Sequence, residues 1–233
     1  VCGDDHGASR LLPELGNRGF SYGVNPGSQL RAVDIRDDGG MTRFELLESG
    51  IIRGEVALGV PGIHNVRNAL GAASAARFLD VDWDQIIEGL RLFMGVGRRF
   101  EPLGEENGVL VVDDYAHHPT EIRATLSAAR SRYPNRRIVA VFQPHLFSRT
   151  QDFSREFGIA LAEADEIWIS DIYAAREEPI PGVSGVLVAQ AALDAGAEHV
   201  SFHPEISEFP VELMGTLQSG DLCLTLGAGS IEF

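Results

Sequence analysis

Apolar residues change their spacing twice along this 233-residue chain. Between residues 31 and 60 they alternate with polar ones in short runs, Thr42-Arg43-Phe44-Glu45-Leu46 and Glu55-Val56-Ala57-Leu58, broken by Asp37-Asp38-Gly39-Gly40 and Ser49-Gly50. A period of two with turn residues at each break predicts a small antiparallel meander. The spacing then lengthens to that of helices. Val66, Leu70, Ala73 and Ala76 line one face of a helix that follows Pro61-Gly62. Trp83, Ile86, Ile87 and Leu90 line a second helix, with Asp82 as its expected N-cap.

Periodicity lapses at Met94-Gly95-Val96-Gly97, which predicts a hinge or boundary dividing the chain into residues 1–96 and 97–233. Beyond it, compact apolar runs alternate with helical patterns. Strands are predicted at 109–113, 138–142, 166–170, 200–203 and 222–226, and helices at 119–133, 149–164 and 185–196. Strands without polar alternation are covered on both faces, so the fold class is α/β with a parallel, doubly wound sheet in the second part.

Composition narrows the chemistry. A hydrophobic content of 44% supports buried cores. All nineteen basic residues are arginine. Without lysine there is no complete phosphate loop of the usual kind and no lysine Schiff base. A net charge of -15 argues against nucleic-acid binding, which needs clustered cations. Cys2 and Cys223 form no CxxC pair, and no apolar stretch is long enough to span a bilayer, so the expected location is the cytoplasm and not a membrane. Val1-Cys2-Gly3-Asp4-Asp5 reads as the end of a strand and a loop, which leads us to expect a fragment that starts inside a domain.

The richest chemistry lies in Asp113-Asp114-Tyr115-Ala116-His117-His118-Pro119, between the Val109-Leu110-Val111-Val112 strand and the next helix. Ligands of open parallel sheets collect at the carboxyl ends of strands, so two carboxylates, a phenol and two imidazoles are expected to face a ligand. The cluster admits three readings: a nucleotide and substrate site, a metal site for phosphoester hydrolysis, or a structural helix start. Asn65 and Asn68, one helical turn apart, offer amides for an adenine edge or serve as capping residues. Arg99, at the boundary, could reach a phosphoryl group, and Arg149 a carboxylate, or both could be solvated surface residues. Gly227-Ala228-Gly229-Ser230 follows the last strand and permits close approach of a ligand.

In order, residues 62–70, 97–101, 112–121 and 142–150 closely resemble the Mur ligases, and Asp171 to Val183 does so too. The 113–121 string is similar to that of the members which add L-alanine to UDP-N-acetylmuramate. The resemblance implies the late part of a central ATPase domain over residues 1–96 and a Rossmann-like, amino-acid-binding domain over 97–233. It also implies ATP-dependent amide synthesis through an acyl phosphate, with ATP accompanied by Mg2+ whose ligands precede Val1. By the same resemblance Asn65 and Asn68 hold adenine, Arg99 the terminal phosphate and Asp114 the ribose. Tyr115, His117 and Arg149 line the L-alanine site, with Arg99 and His117 as the catalytic pair and no metal ligand in this chain. His118 and His145 carry no role beyond the motif. Many members have an arginine where this chain has Leu146, so carboxylate recognition falls more heavily on Arg149. The nearest alternatives are the ligase that rejoins a murein tripeptide to UDP-N-acetylmuramate, a metal-dependent phosphohydrolase, and a non-catalytic nucleotide-binding module. The chain by itself is expected to be inactive.

Overall fold

The computed structural model describes residues 1–38 and 41–231. Two compact units divide the chain, Val1–Gly95 and Val96–Phe233. The first opens with short helices α1 (His6–Ser9) and α2 (Leu11–Leu15). A four-stranded sheet follows, β1 (Tyr22–Gly23), β2 (Leu30–Asp38), β3 (Met41–Glu48) and β4 (Ile51–Leu58), in that spatial order.

β2, β3 and β4 pair antiparallel, whereas β1, too short to carry a pattern, joins β2 in parallel. On β3 the alternation turns Thr42, Phe44 and Leu46 inward. Ser49 and Gly50 supply the positive φ that the β3–β4 turn needs. Of the other expected turn, Gly39 and Gly40 lie outside the described residues. α3 (Ile63–Phe78) lays Val66, Leu70 and Ala73 on the sheet's Leu30, Phe44 and Val56, and α4 (Trp83–Leu92) adds Ile86. Ala76, Trp83, Ile87 and Leu90 sit at the rim of this core, partly buried. Asp82 occupies the N-cap position of α4, but its side chain makes no capping bond.

The second unit contains β5 (Glu101–Glu106), β6 (Val109–Asp114), α5 (Pro119–Arg132), β7 (Arg137–Phe142), α6 (Phe147–Leu161) and β8 (Glu166–Ile169). It continues with α7 (Val186–Asp194), β9 (Val200–Phe202), α8 (Phe209–Thr216) and β10 (Asp221–Leu226). Strand order is β5-β6-β10-β7-β8-β9, parallel except for the antiparallel edge β5. The sequence pattern misses β5 because its residues are nearly all exposed, and misses α8 because it is short.

The chain runs outward from β6 through β7 and β8 to β9 and then returns to place β10 between β6 and β7. Right-handed crossovers put helices of the outward run on one face and the helix of the return on the other. Ile122 and Leu126 of α5, Phe157 and Leu161 of α6 and Val188 of α7 accordingly share a core with Val112, Ile138, Phe142 and Leu224. On the opposite face Val139, Val141, Trp168 and Cys223 meet Phe209 and Leu213 of α8. Burial there pushes the Cys223 thiol up to about 12, so it behaves as a core residue. α6 and α7 approach closely at Gly158, where a Cβ would lie 2.4 Å from the Ala191 carbonyl carbon.

Candidate functional site

The carboxyl ends of β6, β7 and β10 bring the 113–119, 143–149 and 227–230 segments to one edge of the second unit. His118 is the N-cap of α5. Its ring nitrogen accepts from Thr120 N at 3.3 Å, Pro119 follows at the first helical position, and the ring packs edge-on against Phe153.

The two aspartates turn inward, contrary to the expectation that both face a ligand. Asp113 is 1% exposed; it accepts from Arg98 Nε at 3.1 Å and from Thr225 Oγ1 at 2.5 Å. Asp114 is 5% exposed and accepts from Phe100 N at 2.9 Å and Ala116 N at 2.8 Å. The reason lies in the preceding loop. Arg98 and Phe100 have φ of 59° and 50°; in this irregular backbone Phe100 N takes Asp114 as its acceptor, while the Arg98 guanidinium and the Thr225 hydroxyl draw Asp113 inward. Burial pushes the Asp114 carboxyl up to about 6, against the two backbone donors and the charge of Arg99.

Above the aspartates lies an aromatic and cationic layer. Tyr115 packs edge-on to His117 at 5.3 Å, His117 to His145 at 6.0 Å, and His145 stacks on Tyr173 at 5.7 Å. His117 Nδ1 lies 2.8 Å from the Tyr115 carbonyl, so Nδ1 carries the hydrogen in this network and Nε2 is left as a base. Burial, and after it the charge of Arg149, lowers the His145 pKa and favours its neutral form.

Three arginines reach this layer in different states. Arg98 is fixed by Asp113, by the Gly227 carbonyl at 3.0 Å, and by the Tyr115 ring 4.8 Å from its guanidinium. Arg99 is half exposed, 3.7 Å from Glu121 and 5.6 Å from the Tyr115 ring. Arg149 meets His145 Nδ1 at 3.4 Å, and among the described residues no carboxylate lies within ion-pair distance of it. It sits within the first turn of α6, which begins at Phe147 and so two residues earlier than the sequence pattern predicts.

Asn65 and Asn68 belong to the first unit. The N-cap of α3 is Gly62, at φ 96°, so neither asparagine caps the helix. Asn65 Nδ2 instead donates to the Pro61 carbonyl at 2.7 Å, and exposed Asn68 leans on Asn65 Oδ1 at 3.4 Å. The Asn68 side-chain Oδ1 takes no hydrogen bond among the described residues and can receive a donor.

Sequence reasoning missed Gln143 and left Tyr173 without a role. The Gln143 Oε1 atom is buried without a partner, and a Cβ on Gly229 would lie 2.4 Å from it and 2.7 Å from Tyr173 Cγ. The glycine loop therefore packs on these two side chains. Among the described residues no group of three or more His, Cys, Asp and Glu could hold a metal ion. With both aspartates engaged inward, this geometry counts against the phosphohydrolase reading of the 113–118 cluster.

An α/β domain of this topology, with arginine, imidazole and phenol groups at its strand ends, has the doubly wound architecture in which small ligands commonly collect at that edge. Residues 98–229 match the family model described as Mur ligase, glutamate ligase domain, and the chain belongs to the Mur ligase family. It is similar to the UDP-N-acetylmuramate--L-alanine ligase of Trichlorobacter lovleyi, at 44% identity over 99% of this chain and 51% of that protein. Similarity to the ligase of the same name from Oleidesulfovibrio alaskensis reaches 48% over 99% of this chain and 51% of that one. The crystal structure of UDP-N-acetylmuramate-alanine ligase from Thermotoga maritima aligns with a TM-score of 0.78 at 28% identity, covering 96% of this chain and 47% of that chain. The chain thus spans about half the length of the curated relatives it matches.

Proposed function

We propose that this chain is part of an ATP-dependent ligase that joins L-alanine to UDP-N-acetylmuramate in peptidoglycan precursor synthesis, in the cytoplasm. The observation that carries the reading is Arg149, the arginine of the strand-end layer that has no carboxylate partner among the described residues, in a chain whose curated relatives are named for that ligation.

In this reading Arg149 holds the amino-acid carboxylate as a bidentate donor. Tyr115 and His145 wall the site, and His117 Nε2 accepts a proton from the amine as it attacks. Arg99 meets the terminal phosphate, where its charge offsets that developing in phosphoryl transfer. Asn65 and Asn68 hold adenine. The Asp114 carboxyl, buried and engaged by the Phe100 and Ala116 N–H groups and by Thr125, anchors the 98–100 loop, and the ribose contact that the resemblance implies is not assigned to it. ATP supplies the phosphoryl group that activates the muramate carboxylate as an acyl phosphate. The residues of this chain would meet the nucleotide through arginine and amide groups.

The test is the full-length enzyme assayed with ATP, UDP-N-acetylmuramate and either L-alanine or a murein tripeptide, read as ADP release and product mass. L-alanine-dependent turnover is expected. Preference for the tripeptide assigns the chain to the recycling ligase, and turnover with neither sinks the proposal. The 233-residue chain alone is expected to give none.

A further inference from the structure

α6 begins without a capping side chain of its own. Its N-cap residue is Leu146, at φ 72° and ψ 134°, and that side chain makes no hydrogen bond to the helix start. A left-handed φ is costly for leucine, and the first N–H groups of an α-helix have no partner inside the helix. The loop after β8 meets both needs. The Tyr173 carbonyl accepts from Leu146 N at 3.0 Å, while Tyr173 N donates to the Pro144 carbonyl at 2.8 Å. Four residues on, Glu177 accepts from Ser148 N at 2.9 Å through Oε2 and from Ser148 Oγ at 2.5 Å through Oε1. These bonds, the hydroxyl's first, hold the Glu177 carboxyl below the usual range. The amino end of a 15-residue helix, where negative charge is favoured, is filled by an anion from the chain itself.

Arg149 is the next residue after Ser148. Its guanidinium neighbour, His145, stacks on Tyr173 of the same loop. The loop therefore grips the backbone on both sides of the turn from which Arg149 projects. A carboxylate arriving at this end of α6 finds the helix terminus occupied and Arg149 held in no ion pair among the described residues, its charge felt by Glu177 only at a distance. We propose that Glu177 is a positioning residue of the amino-acid site: from the loop after β8 it caps α6 and so holds Arg149 in place for the carboxylate of the incoming amino acid. This rests on the ligase reading above.

Hydrogen exchange on the 233-residue chain reads the cap. In Glu177→Ala the amides of Ser148 and Thr150 exchange about fivefold faster than in the wild type, as loss of a helix cap predicts. In Glu177→Gln they stay near wild type, because the side-chain amide keeps an oxygen for Ser148 N and an N–H for Ser148 Oγ. In the full-length enzyme Glu177→Ala raises KM for L-alanine about tenfold and leaves KM for ATP in place, and Glu177→Gln restores both. Should Glu177→Ala fail to fold, Ser148→Ala removes the hydroxyl bond and carries the same comparison. Unchanged exchange overturns the cap. Faster exchange with an unchanged KM for L-alanine, or a glutamine variant that keeps the cap and still loses L-alanine, overturns the link to Arg149. A wild-type enzyme that does not ligate L-alanine overturns the ligase reading instead, and the exchange comparison still decides the cap.

Discussion

Arg98 and Asp113, fifteen positions apart, meet through a 3.1 Å bond from Nε to Oδ2 at the base of the strand-end layer. The Asp113 side chain is 2% exposed and that of Arg98 23%, so the pair is largely withdrawn from water. Removing one member of such a pair leaves an uncompensated charge. Asp113→Ala also leaves Thr225 Oγ1 only its longer 3.4 Å bond to the Val112 carbonyl and is expected to destabilise the second unit by about 3 kcal/mol. Urea unfolding followed at Trp168, the tryptophan of that unit, measures the loss; a midpoint equal to wild type contradicts it.

Asp114 predicts a pH dependence of the opposite kind from a paired carboxylate. Burial raises its carboxyl to about 6 from an ordinary 3.8, the backbone N–H groups of Phe100 and Ala116 and the charge of Arg99 only partly opposing it. Between those values the folded chain keeps a proton that the unfolded chain has lost. The stability that Asp114 contributes is whole below pH 3.8 and is lost as pH rises through about 6, a change of about 3 kcal/mol. A carboxyl carbon resonance titrating near 6 in the folded chain, absent in Asp114→Asn, is the expected result. A midpoint at or below about 4 contradicts it.

The same two aspartates mark how far the sequence could be read. β6, β7 and β10 were legible because strands covered on both faces need unbroken apolar runs, and α5 and α6 because Ile122, Leu126, Phe157 and Leu161 keep a helical spacing. β5 was not, since an exposed edge strand of Glu101, Glu105 and Glu106 leaves no apolar period to find. The position of the 113–118 loop could be foretold from strand-then-helix order, but not the direction of its carboxylates. That direction depends on Arg98, Phe100 and Thr225, the last of them 112 residues from Asp113. Glu177 stayed without a role for a similar reason: its partner, Ser148, lies 29 residues upstream, and no local pattern links the two.

In the proposed ligase Arg149 is expected to carry the amino-acid carboxylate nearly alone. Loss of a bidentate, charge-assisted contact should raise KM for L-alanine about 100-fold in Arg149→Ala, with KM for ATP little changed. The same substitution removes a positive charge that lowers the His145 pKa, so the His145 ring should titrate higher in the variant. Imidazole proton shifts against pH measure this on the chain itself. An unmoved His145 with an unmoved KM would take Arg149 out of the site.

Arg99 offers the sharpest separation of chemistry from binding. Its neighbour Arg98 is committed to Asp113 and the Gly227 carbonyl, whereas Arg99 is half exposed and its contact with Glu121 is a loose 3.7 Å. An exposed pair of that length contributes little to stability, so Arg99→Ala should leave the fold intact. If the guanidinium acts on charge that develops only as the phosphoryl group moves, its loss lowers kcat and kcat/KM together and leaves KM for ATP close to wild type. A fall in kcat of about 100-fold is expected for one such donor. A variant that keeps its kcat and loses only ATP affinity would make Arg99 a binding group for the nucleotide, and one that keeps both would remove it from the site.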